Sequence, residues 1–121
     1  MEKITSFTQL TVWKLSHELV LEIYILTKDF PKEERFGLTD QIRRCAVSIT
    51  SNIAEGFTRQ SRKEKVQFYY TSLGSLAELQ NQLLIARDLL YMSREKFSTL
   101  ALKTVEIRKL LSGFVKSARS K

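Results

Sequence analysis

From Arg62 to Arg119 the chain repeats apolar residues at three- and four-residue intervals with a single break near Ser93, a pattern that two long helices packed side by side satisfy. The first of these, about Arg62 to Tyr91, turns Val66, Tyr69, Tyr70, Leu73, Leu76, Leu83, Ala86 and Leu90 inward. The second, about Arg94 to Arg119, has Ser93 as N-cap and Glu95 in its first turn, and sets Phe97, Leu100, Ala101, Thr104, Ile107, Leu111, Phe114 and Ala118 at nearly heptad spacing. That spacing predicts a tight antiparallel hairpin with a shallow crossing angle. Gly74 interrupts the first helix, and the missing side chain predicts a close helix crossing there.

Two shorter helices precede the hairpin. One runs from about Thr11 to Lys28, with Trp13, Ser16, Val20, Ile23 and Thr27 as its core stripe, and ends before Phe30 and Pro31. Leu21 and Ile25 fall on its far side, among Lys14, His17 and Glu18. A monomer cannot cover both faces, so Leu21 and Ile25 predict a subunit interface in a homo-oligomer. The other helix runs from about Thr39 to Gly56, with Leu38, Ile42, Cys45, Ile49 and Ile53 on its core stripe. One Pro, four Gly and 43% hydrophobic residues in 121, with no linker-like segment, predict a single all-α domain over residues 1–121.

At about 100° per residue, Gln41, Arg44, Ser48, Asn52, Glu55 and Arg59 fall on one sector of that helix beside its apolar stripe. Arg44, Ser48, Asn52 and Glu55 there form either a structural hydrogen-bonded network or, without Ser48, a ligand site. Both readings stay open. Past Gly56 comes a basic turn with Arg59, Arg62, Lys63 and Lys65, and Ser61 with Glu64 has the spacing of a capping box.

Charge is segregated along the chain. Residues 1–40 hold five Lys/Arg against seven Asp/Glu, residues 41–121 fifteen against six, and the whole carries +7 with a pI near 9.7. Such a balance points to a polyanionic partner, RNA, DNA or an anionic membrane surface, the alternative being a solvated face. The candidate phosphate contacts are Arg59, Arg62, Lys63, Lys65, Lys103, Arg108, Lys109 and Lys116, with Tyr69, Tyr70 and Tyr91 as candidate stacking platforms. A protein-interaction scaffold, in which the charge serves orientation and solubility, is the competing class.

Catalytic patterns fail on spacing. The single histidine, His17, has no Glu three residues before it, no Gly-rich phosphate loop or nucleophile elbow occurs, and no metal-ligand cluster is visible. The prediction is a non-enzyme with no metal and no cofactor. The lone Cys45 is read as a packing residue without a disulfide partner. No apolar run approaches the roughly 20 residues of a membrane span and the N-terminus lacks a signal-peptide pattern, so a cytoplasmic location is expected.

The strings LTVW at 10–13, FP at 30–31, QIRR at 41–44, VSI at 47–49, NIAEG at 52–56 and GSL at 74–76, with Glu34, Arg59, Ser61 and Glu78, carry a family resemblance. Over roughly residues 7 to 92 the chain resembles the four-helix-bundle proteins encoded in intervening sequences of 23S ribosomal RNA genes, with Cys45 where that family's pattern has Ala. The resemblance implies an antiparallel up-down four-helix bundle, assembly into a ring-like pentamer and no established enzymatic activity. The chain is also similar to the accessory proteins of diversity-generating retroelements, basic pentameric bundles that associate with nucleic acid and a reverse transcriptase.

Overall fold

A computed structural model of the chain describes residues 3–120, so the outermost positions of the domain, 1, 2 and 121, lie outside the described residues. Four helices carry the fold: α1 Thr11–Thr27, α2 Leu38–Thr58, α3 Arg62–Asp88 and α4 Arg94–Ser120, with short 3-10 turns at Phe7–Gln9 and Lys32–Glu34. No strand occurs among the described residues.

Each helix packs against its neighbour in the chain, and α4 closes back onto α1. Contacts run in opposite senses along each pair. On α2 and α3, Cys45 meets Glu78, Ile49 meets Ser72 and Gly56 lies over Tyr69. On α3 and α4, Arg87 stacks over Phe97, Gln80 bonds Thr104 and Tyr69 packs edge-on to Phe114. Between α1 and α4, Glu22 bonds Lys103 while Leu26 and Leu100 share a groove further along. The result is an antiparallel four-helix bundle, with Ile23, Ile49, Leu79 and Ile107 wholly enclosed at its centre.

The helix ends differ from the sequence expectation for local reasons. α2 begins at Leu38, one residue before the expected Thr39, with Gly37 as N-cap, and the Glu34 carboxylate accepts the Leu38 N–H at 3.1 Å, taking over the capping role. Gly56 does not end α2, which continues to Thr58. Its importance is steric: a Cβ there would lie 2.7 Å from Tyr69 Cε1 and 3.0 Å from Phe68 Cβ. The close crossing expected at Gly74 is therefore at Gly56, since a Cβ on Gly74 would meet nothing within 4 Å. Ser61 Oγ caps α3 by accepting the Glu64 N–H at 3.3 Å. α3 stops at Asp88, because Leu90 adopts a left-handed φ of 64° and the Tyr91 N–H reaches back to the Ala86 carbonyl at 2.9 Å. Leu90 consequently points outward at 87% exposure instead of joining the core.

The stripe of α1 is also rotated from its expected position. Val12, Ser16, Leu19, Ile23, Leu26 and Thr27 are buried, whereas Trp13 and Val20 are partly exposed. Trp13 lies beneath the N-terminal turn, edge-on to Phe7 at 5.4 Å and stacked on His17 at 4.7 Å. α1 is apolar on most of its circumference, so periodicity alone does not select the face that α2 and α4 cover.

Candidate nucleic-acid interface

The polar sector of α2 separates into local pieces. Arg44 Nε donates to Asp40 one turn back at 2.9 Å and leaves its side chain 81% exposed. Ser48 Oγ and Ser75 Oγ meet at 2.7 Å across the α2–α3 seam, and Asn52 Nδ2 donates to the Ser48 carbonyl at 2.8 Å and to its hydroxyl at 3.1 Å. Glu55 accepts from Arg59 Nη2 at 2.8 Å. Only Ser48 and Asn52 of the four are joined by a hydrogen bond. The small residues of this seam serve packing as well, since Ser72 Oγ donates across it to the Ile49 carbonyl at 2.8 Å.

Beyond this sector the antiparallel fold brings the α2–α3 turn and the last turns of α4 to one end of the bundle. Lys65 is turned inward there. Its Nζ donates to the Phe57 carbonyl at 2.8 Å and the Gly56 carbonyl at 3.2 Å, completing the C-terminus of α2, and burial lowers its pKa from the ordinary lysine value. Arg59 is engaged as well, bonded to Glu55, 3.9 Å from Glu64 and stacked over Phe68 at 4.9 Å. Both acids flanking the turn thus face Arg59. Arg62 and Lys63 project beside them, exposed and without an ion pair among the described residues.

On α4 the eight-residue candidate set divides again. Lys103, with a side chain only 18% exposed, sits between Glu22 at 2.6 Å and Glu18 at 3.4 Å of α1. Burial pulls its pKa down, but the bonds and charges of Glu22 and Glu18 outweigh this and hold it above the ordinary value. It braces α1 against α4 and lies apart from the basic end. Arg108, Lys109 and Lys116 are exposed and form no ion pair among the described residues. Helical spacing aligns Arg108, Ser112, Val115 and Arg119 along one side of α4, a track of about 16 Å at about 1.5 Å per residue.

Arg119 is not among the candidate phosphate contacts that charge and spacing select, yet its Nη1 donates to Tyr70 Oη at 3.1 Å across α3 and α4. The three tyrosines part company. Tyr69 is buried against Phe114, and burial raises its pKa. Tyr91 lies at the opposite end, donating to Glu34 Oε2 at 2.9 Å. Tyr70 alone of the three stands exposed at the basic end.

No three His, Cys, Asp or Glu side chains gather among the described residues, and none of the described helices is long and apolar enough to cross a membrane. Fold and surface together define an all-α four-helix-bundle protein with a cationic end. The chain belongs to the 23S rRNA-intervening sequence protein family, whose sequence pattern matches residues 8–113. A crystal structure from Bacteroides thetaiotaomicron VPI-5482, described as a protein with unknown function from the S23 ribosomal protein family, is similar with a TM-score of 0.81. It is 29% identical, over 88% of this chain and 99% of that one. No curated protein matches the chain.

Proposed function

We propose that the protein is a non-catalytic, self-assembling nucleic-acid-binding bundle that holds phosphates at the α2–α3 turn and along the C-terminal half of α4. The supporting observation is the uneven pairing of its cations. Arg59, Lys65 and Lys103 are engaged within the fold, whereas Arg62, Lys63, Arg108, Lys109 and Lys116 are exposed without ion pairs among the described residues. Unpaired lysine and arginine at a surface release counterions from a phosphate backbone, which favours association with any nucleic acid. RNA is taken ahead of DNA as the ligand of this reading, although the family description, which refers to 23S rRNA intervening sequences, does not itself name a ligand.

Filter binding of mixed RNA and DNA over a salt series tests this proposal. If one subunit neutralises about four phosphates, the logarithmic slope is roughly −3 to −4 per engaged subunit. Substituting Gln at Arg62, Lys63 and Lys116 flattens the slope, while Lys103→Gln leaves it unchanged. Absence of binding at low salt refutes the proposal. The scaffold reading gains from the exposed Phe36, Leu90 and Leu102. A protein partner retained after nuclease treatment, with no bound nucleic acid, selects it.

A further inference from the structure

Tyr70 stands at the mouth of a groove between α3 and α4 whose other walls are Leu73, Ser112, Val115, Lys116 and Arg119. The groove is shallow and open to solvent, with a volume of about 500 Å³, Leu73 and the buried Val115 giving it apolar lining and Lys116 and Arg119 giving it positive charge. Tyr70 is 48% exposed, whereas the neighbouring Tyr69 of the same helix is enclosed. Its hydroxyl accepts from Arg119 Nη1 at 3.1 Å, an exposed bond that joins the ring to α4. A half-exposed aromatic ring, an apolar recess and adjoining cations fit one ligand chemistry better than a bare phosphate track does: a base with an open face, attached to a phosphate backbone.

We infer that this groove binds an unpaired nucleobase against Tyr70, making the protein a single-strand binder in which Lys116 and Arg119 hold the flanking phosphates. The inference rests on the nucleic-acid reading of this end and adds to it a strandedness and a site. A duplex keeps its bases stacked internally and offers no free face to the ring, so it engages the cations alone. Every base has such a face, and the site accordingly discriminates single from double strands more than one sequence from another.

Fluorescence anisotropy with a labelled single-stranded RNA, its DNA counterpart, the RNA duplex and an abasic single strand of equal charge provides the test. Stacking is worth about 1–3 kcal/mol per base, so Tyr70→Ala weakens single-strand binding by about 5- to 150-fold at constant salt slope, and Tyr70→Phe retains most of the affinity. The abasic strand and the duplex bind wild type and Tyr70→Ala alike. Circular dichroism verifies that both variants keep their helicity. Salt-dependent binding that Tyr70→Ala does not weaken, or equal wild-type affinity for normal and abasic strands, overturns the base site and leaves the electrostatic proposal standing. No binding of any strand overturns both. A preference for RNA over DNA single strands assigns the ligand to RNA, and equal affinity supports a site that reads the base alone.

Discussion

Cys45 is enclosed between α2 and α3, with its thiol directed to the Ser75 carbonyl at 3.1 Å and to Glu78 Oε2 at 3.2 Å. Burial, and then the bond and charge of Glu78, push that thiol from 9.0 up to about 12. The folded state therefore keeps a proton that the unfolded state loses above pH 9.0, so the contribution is fully present below that value and declines as pH rises towards about 12. At pH 8 the native thiol should react with iodoacetamide at least about tenfold more slowly than in denaturant, because only the thiolate attacks. Equal rates in the two conditions would contradict this. Glycine gives opposite outcomes at two positions. Gly74→Ala should stabilise by about 0.5–1 kcal/mol because its Cβ enters open space. Gly56→Ala should destabilise by about 1–3 kcal/mol because Tyr69 and Phe68 must shift. Urea titration measures both signs. Asn52→Ala should cost about 0.5–1.5 kcal/mol and the exposed Glu55→Ala less than about 0.5, with additive effects because no hydrogen bond joins Asn52 to Glu55. A coupling energy above that additivity limit would restore the single network.

At the scale of elements, α1 and α4 are tied by Lys103, whose bracket of Glu18 and Glu22 lies some 80 residues away in sequence. Its raised pKa gives stability that is fully present below 10.5 and lost as pH rises through the higher folded value. Wild type should therefore lose thermal stability above about pH 10.5 by an amount that Lys103→Gln no longer shows, read from melting temperatures over an alkaline series. Identical alkaline profiles would remove Lys103 from the account. This pairing also marks where the sequence stops being readable. Apolar periodicity was enough to find four helices, the antiparallel hairpin and the core stripe of α2. It could not tell that Lys103 and Lys65 are held inside the fold, because their partners are chosen by packing between helices and not by spacing along one. The same limit explains Leu90, whose apolar character suggested the core although the chain reverses through it, and Gly74, whose place opposite open space depends on the tilt of its neighbours. Arg119 has no signal of its own in the sequence, because only the hairpin's register brings it to Tyr70.

For the whole molecule, the outer face of α1 carries Leu21 at 52% and Ile25 at 64% exposure, diametrically away from the buried Leu19 and Ile23. Burying that face between copies is the self-assembly proposed above, and light scattering at micromolar concentration should then give a mass that is a multiple of 14.1 kDa. The double change Leu21→Glu, Ile25→Glu should lower the mass while preserving helicity; an unaltered assembly would move the interface elsewhere. The α2–α3 turn bears on how such a molecule meets a ligand. Ser61 caps the incoming helix, Lys65 closes the outgoing one and Arg59 is fastened on both sides, so the connection of three residues between α2 and α3 has few alternative conformations. A polyanion arriving at Arg62 and Lys63 need not first freeze a flexible loop, and the entropy of ordering a backbone, about 1–2 kcal/mol per residue, is largely settled when the protein folds. On the proposed nucleic-acid reading, association there would be governed by diffusion and long-range attraction. The stiffness that would make such a capture fast would also limit adaptation: curvature and spacing would have to come from the ligand, which favours a chain supple enough to bend to a rigid surface.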